Sequence, residues 1–192
     1  IVAAMKDTLK RSQRADYSYA VIASYETEPA LNGKTIPQAA KLKRGSDALD
    51  DQIDLLIELA VNGGAKGVFH NMSEPDVRTF LVQPLTMIGS DAGPLAFADA
   101  IPHPRGYGNN ARILGRYVRE LKLRTLEEAV RKMTSLPAQT FHLRQRGEIQ
   151  PGYAADLVIF DPQTVADRAT FEKPHQYAVG FSEVIVNGVP VI

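Results

Sequence analysis

Apolar positions over the first ninety residues recur in two alternating rhythms. Ile1, Met5 and Leu9, with Lys and Arg between them, have helical spacing over residues 1–14. Tyr17 to Tyr25 (YSYAVIASY) is a dense β-branched and aromatic run that predicts a buried strand. Glu26 to Lys34 reads as a loop with Pro29 and the turn pair Asn32-Gly33. Thr35 can cap a helix starting at Pro37, a residue suited to a first helical turn. Residues 47–60 (DALDDQIDLLIELA) predict a strong amphipathic helix, acidic at its start and closed by Asn62-Gly63-Gly64. Lys66 to His70 is short and strand-like, and Ser73 opens a helix with Asp76 as the acidic partner of its cap. Leu85 to Gly89 (LTMIG) predicts another short strand, with Ser90-Asp91 directly after it. Strand, helix, strand, helix, strand is the rhythm of a parallel sheet or barrel.

Residues 92–108 form a long Gly- and Pro-rich loop, and such loops in compact domains are usually functional. A helix follows over 110–121, with Ile113, Leu114, Tyr117, Val118 and Leu121 on one side. Thr125-Leu126-Glu127-Glu128 predicts a capping box for a helix to about Met133, and Pro137 restarts a short one. After residue 143 the pattern changes to short strands such as Ala155–Phe160, punctuated by Gly147, Pro151-Gly152 and Asp161-Pro162. The tail VIVNGVPVI is two apolar runs around Asn187-Gly188, a strong hairpin signal, and Pro190 places the last strand at a sheet edge. Strands this short cannot bury their own apolar faces, so partner strands are expected from outside this chain.

Composition narrows the class without choosing a function. The 192 residues are 44% hydrophobic and 23% charged, the balance of a soluble globular protein. Twenty-two basic residues match twenty-two acidic ones, so no global field draws the chain to nucleic acid or an anionic membrane. No apolar run approaches the ~18 residues of a membrane span. Lys6, Asp7 and Lys10 break up any signal-peptide pattern at the start. The absence of cysteine removes disulfides and thiolate metal sites and is compatible with a cytoplasmic location. The chain begins Ile1-Val2-Ala3-Ala4, as if inside a helix, which reads as a fragment, a processed subunit, or trimming of a few disordered residues.

Two positions carry candidate chemistry. Asp91 follows a predicted strand, where barrel enzymes keep catalytic groups, although a carboxylate there can equally cap the next turn. Arg105, in His103-Pro104-Arg105-Gly106-Tyr107-Gly108, can clamp a carboxylate with paired hydrogen bonds or simply pair with an acid such as Asp99. Arg112, Arg116 and Arg119 share one helical face and read as a solvated stripe. His70, His103, His142 and His175 do not fall at the spacings of dedicated zinc motifs, so no metal ligand is assigned. Ser90 lacks the pattern of a nucleophile elbow, and no phosphate-binding glycine loop is present.

Taken together, several segments resemble the D-aminoacylase (N-acyl-D-amino-acid deacylase) family of metal-dependent amidohydrolases. They are Met87 through Asp91, the HPRGYG loop, Ile113 through Glu120 (ILGRYVRE), and Leu126 through Ala138 (LEEAVRKMTSLPA). Arg146-Gly147, Gly152, Ala155 through Pro162 (ADLVIFDP), Asp167 through Glu172 (DRATFE) and Val186-Asn187-Gly188 continue the match. It is dense from about residue 66 and thinner upstream, where LNGKTI at 31–36 resembles a family loop. The resemblance implies an α/β fold, the C-terminal part of a (β/α)8 TIM-type barrel over residues 1–142, with residues 143–192 adding strands to a small β-sandwich built from both chain ends. It implies zinc, with the ligands (a His-x-His pair, a cysteine and two further histidines) upstream of Ile1, in an N-terminal part that would be this chain's partner.

The same resemblance implies that Asp91 is the catalytic carboxylate, that Arg105 holds the α-carboxylate of an N-acyl-D-amino acid, and that Ser24 also contacts that group. Zinc would activate water and polarise the amide carbonyl while Asp91 moves the proton. The chain departs from the family pattern at Asn109-Asn110, where Thr-Phe is expected, and over Ala92–Pro102, a long apolar stretch; both border the expected pocket. Alternatives are a cyclic-amide (dihydropyrimidinase- or hydantoinase-like) amidohydrolase, whose substrate has no α-carboxylate for Arg105, and a non-catalytic piece that needs a partner chain. Alone, the chain is expected to be marginally stable, with apolar strand faces exposed.

Overall fold

The computed structural model describes residues 1–93, 97 and 101–192. The chain divides into two compact units, Ile1–Asn71 with Ala96–His103, and Met72–Leu95 with Pro104–Ile192.

The first unit runs α1 (Val2–Arg11), β1 (Ala20–Ser24), a 3₁₀ turn (Pro29–Leu31), α2 (Ile36–Arg44), α3 (Leu49–Val61) and β2 (Lys66–Phe69). Thr35 caps α2 in a full capping box, its hydroxyl accepting from the Gln38 N–H while the Gln38 side chain returns to the Thr35 N–H. The helix therefore starts one residue before the expected Pro37. Ala39 and Ala40, both fully buried, let α2 lie close to α3, whose Ile53 and Leu55 join Leu9, Ile22 and Leu31 in the core. Gln52 is the polar member of that core, at 2% exposure. Its Oε1 accepts the Tyr17 N–H at 3.0 Å and its Nε2 donates to the Asp47 carbonyl at 2.7 Å. At the surface, Glu28 and Glu58 both bind Lys43 and push its pKa up to about 12, while Arg44 shares Glu58 at 2.6 Å.

Here β1 and β2 pair antiparallel, with Ala20 opposite Phe69 and Ser24 opposite Lys66. This corrects the parallel arrangement expected from the alternating rhythm. Periodicity fixes the face a strand buries and is blind to its direction. The α2–α3 pair returns the chain to the end of β1 that it left, so Lys66 enters beside Ser24.

The second unit runs α4 (Glu74–Leu81), α5 (Arg105–Arg112) continuing without a break into a π-helical stretch (Ile113–Glu120), α6 (Leu126–Met133), α7 (Ser135–Thr140), β3 (Leu157–Phe160), β4 (Phe181–Val186) and β5 (Val189–Pro190). The helix expected at 110 thus begins at Arg105, where Pro104 and two glycines read as loop. Its widened turns show in the Leu121 N–H reaching the Arg116 carbonyl at 2.9 Å. Ser73 caps α4, its hydroxyl also donating to Asp76 at 2.6 Å. Thr125 caps α6 as expected, but the Glu128 carboxylate turns to Arg131 at 2.9 Å, not back to the cap. Ala111, Ile113, Leu114, Tyr117, Ala129 and Val165 form the core.

The expected strand at Leu85–Gly89 is coil. A strand needs a ladder, and what holds this segment is bonding to α6, described below. The expected C-terminal hairpin is present: β3, β4 and β5 form an antiparallel sheet in that order, with Asn187 and Gly188 both at positive φ in the turn and Pro190 on the edge strand. Val158 and Ile159 point to opposite faces of β3, yet both stay exposed, at 53% and 48%.

Replacing Gln52 with Met leaves the buried Tyr17 N–H without its acceptor and removes the donor to the Asp47 carbonyl. The expected cost is about 1–3 kcal/mol. It would be read as a lower urea midpoint and faster hydrogen exchange at the Tyr17 amide, and unchanged exchange there would contradict the assigned role.

Candidate active site

Asp91 and Arg105 come together. Arg105 Nη2 donates to Asp91 Oδ2 and to the Asp91 carbonyl, each at 2.7 Å. The Asp91 side chain is 88% exposed and that of Arg105 41%. Asp91 sits in the left-handed region at φ 48°. The neighbouring Ser90 takes the turn-capping role, its hydroxyl accepting the Ala92 N–H at 3.3 Å. Asp99, the other acid considered for Arg105, lies outside the described residues, as do residues 94–96, 98 and 100 of the long apolar stretch.

The approach to Asp91 is held by α6. Arg131 Nη2 donates to the Pro84 carbonyl at 2.7 Å. Lys132 Nζ donates to the carbonyls of Leu81, at 2.9 Å, and Gln83. In return, the Lys132 carbonyl accepts the Ile88 N–H at 3.1 Å. Lys132 is 2% exposed, and burial pushes its ammonium below the ordinary lysine value, with Glu128 opposing. Residues 81–88 therefore reach Asp91 tied to a helix instead of paired in a sheet. Sequence reasoning missed this clamp, because Lys132 on an amphipathic helix looks like any solvated lysine.

Arg105 is the first residue of α5. Further along that helix, Arg112 pairs with Asp167 at 3.0 Å, and the Arg119 guanidinium donates to the Val165 carbonyl at 2.7 Å and that of Pro162 at 3.1 Å. Two of the three arginines read as a solvated stripe are thus tied to the tail. The buried Tyr117 donates to Glu74 at 3.1 Å. Burial works to raise the Glu74 pKa, but hydrogen bonds from Arg78 and Tyr117 hold it below the usual carboxylate range.

Ser24 belongs to the first unit. It lies at the end of β1, just past a register irregularity between Ile22 and Ser24, a feature that re-aims side chains. Among the described residues, no group of three or more His, Cys, Asp or Glu side chains could hold a metal ion. His142 is exposed at positive φ on the rim of an open depression lined by Gln139, Arg144 and Tyr153. The described residues therefore do not fit a metal centre. Among the described residues, no helix is long and apolar enough to cross a membrane.

The chain is a mixed helix–strand protein that brings a carboxylate and a guanidinium together at Asp91 and Arg105. Comparison with known proteins places it: residues 3–192 match the amidohydrolase family model, and the chain belongs to that family. It is 47% identical to a D-aminoacylase of Alcaligenes xylosoxydans xylosoxydans over 163 residues, covering 85% of this chain and 31% of the relative. An N-acyl-D-glutamate deacylase of the same organism is 47% identical over 127 residues, covering 66% of this chain and 25% of the relative. The crystal structure of a D-aminoacylase superposes with a TM-score of 0.79 at 44% identity, over 90% of this chain and 34% of that one. N-acyl-D-glutamate deacylase from Bordetella bronchiseptica, complexed with zinc and a phosphonate inhibitor, superposes with a TM-score of 0.80 at 39% identity, over 95% and 36%. The chain spans between a quarter and a third of the length of these curated relatives. The resemblance to the D-aminoacylase family is borne out.

The depressed Glu74 pKa makes a prediction with a definite sign. Its contribution to stability is present above the ordinary value of 4.5 and is lost as pH falls through the lower, folded value. Glu74→Gln should therefore weaken the acid-induced loss of stability below about pH 4.5. An unaltered acid limb in a denaturation series at stepped pH would contradict it.

Proposed function

We propose that residues 1–192 are the C-terminal part of a zinc-dependent enzyme that hydrolyses the amide bond of N-acyl-D-amino acids, releasing a D-amino acid and a carboxylate. The observation that carries this reading is the 2.7 Å approach of Asp91 and Arg105, in a chain nearly half identical to deacylases of that class. Residues 1–142 would contribute to a (β/α)8 barrel and 143–192 to a β-sandwich. Since the described residues do not fit a metal, the zinc ligands would come from the rest of the enzyme.

The residues of this chain have distinct tasks. Arg105 holds the free α-carboxylate of the substrate with its paired N–H groups. Holding that end fixes the scissile amide relative to the Asp91 carboxylate. Asp91 accepts a proton as water attacks the carbonyl carbon, then delivers it to the nitrogen as the C–N bond breaks. A cyclic-amide substrate has no α-carboxylate and would leave Arg105 without this task.

The test is a chimera in which these 192 residues replace the matched region of the 47%-identical D-aminoacylase. It should release D-amino acid from N-acetyl-D-amino acids. Asp91→Asn should lower kcat by at least about a hundredfold while zinc content stays the same. Full turnover in that variant would reject the role of Asp91. Arg105→Lys keeps the charge and loses the fork, so KM should rise by about tenfold. An unchanged KM would reject the clamp.

A further inference from the structure

Arg105 stands in a turn that is a poor helix by itself. Arg105-Gly106-Tyr107-Gly108 contains two glycines, the least favourable helix formers after proline. Pro104 occupies the capping position and has no side-chain oxygen to accept an orphan N–H. Order in this turn must therefore come from tertiary contacts, and its large anchoring side chain is Tyr107. The Tyr107 hydroxyl lies 3.0 Å from His175 Nδ1. Its ring also meets His175 edge-on at 5.7 Å and Tyr177 edge-on at 5.8 Å. One residue on, a Cβ at Gly108 would stand 2.6 Å from Asp167 Cβ, so the tail passes directly against the helix backbone.

We propose that Tyr107 and His175 are a positioning pair for the Arg105 guanidinium. The hydroxyl donates to unprotonated Nδ1, and the crossed rings fix the Tyr107 rotamer. With Tyr107 pinned, the first turn of α5 keeps its helical dihedrals and Arg105 projects toward Asp91. With the pin removed, the turn frays and the guanidinium samples many directions. A substrate carboxylate then pays to order it on binding, while the proton transfers at Asp91 are unaltered once it is bound. The defect appears in KM and spares kcat. This inference rests on the reading of Arg105 as a carboxylate clamp.

Two measurements test it. In the 192-residue chain, the ring-nitrogen NMR shifts of His175 should report Nδ1 as an acceptor and move in Tyr107→Phe; shifts unchanged by that substitution overturn the pair. In the chimera, Tyr107→Phe and His175→Leu should each raise KM roughly fivefold with kcat within about twofold. The double variant should be no worse than either single, and His175→Asn, whose amide oxygen can replace the Nδ1 acceptor, should restore KM. Parental KM in both singles, alongside a raised KM in Arg105→Lys, rejects the pair and leaves the clamp standing. An unchanged KM in Arg105→Lys rejects the clamp and the pair with it. A fall in kcat matching the rise in KM assigns Tyr107 and His175 to general folding and also overturns the inference.

Discussion

Val165 fixes the distance between the β-rich tail and the helix that carries Arg105. It has no exposed surface, and glycine backbone meets it on two sides. A Cβ at Gly115 would stand 2.7 Å from the Val165 carbonyl oxygen, and one at Gly180 would collide with the Val165 backbone. The Arg119 guanidinium then takes up the same carbonyl at 2.7 Å. Close packing of this kind has no slack, because interiors transmit even a methyl-sized change. Residues 161–180 are therefore a brace on α5, and the compact unit that holds Asp91 and Arg105 includes them.

Asp91 and Arg105 reach each other from separate supports. Asp91 ends a coil tied down by the Arg131 and Lys132 side chains of α6. Arg105 begins a helix braced by Asp167 and Val165. The Tyr117 hydroxyl on Glu74 joins that same helix to α4, the element leading into the coil.

Much of this was legible in the residues, and the exceptions share a cause. Thr35, Ser73 and Thr125 announce their helices because capping is a local interaction over three residues. Asn187-Gly188 announces its hairpin for the same reason. Asp91 and Arg105 stood out by position and residue type with alternatives open, and their roles came from the resemblance to known deacylases. The strand direction of β2, the coil at 85–89 and the role of Lys132 were not legible. Each is decided by a partner far along the chain: Ser24 for Lys66, Lys132 for Ile88, and the carbonyls of Leu81 and Gln83 for the buried ammonium. Hydrophobic periodicity carries no record of such pairings. Tyr107 and His175 were hidden in the same way, being 68 residues apart.

Stability does not explain why Asp91 and Arg105 are arranged as they are. An ion pair whose carboxylate is almost fully in water is worth about 0–1 kcal/mol. Holding a non-glycine residue in the left-handed region costs about 1–2 kcal/mol, less for aspartate, which tolerates it better than most. The two terms nearly cancel, so the fold gains little by keeping Asp91 there. The same geometry counts for more once a substrate excludes water, since the Coulomb term between fixed charges grows as the local dielectric falls. On the proposed reading, a backbone conformation that yields little to the fold, beside a charge whose effect grows on desolvation, suits a site that takes up a ligand.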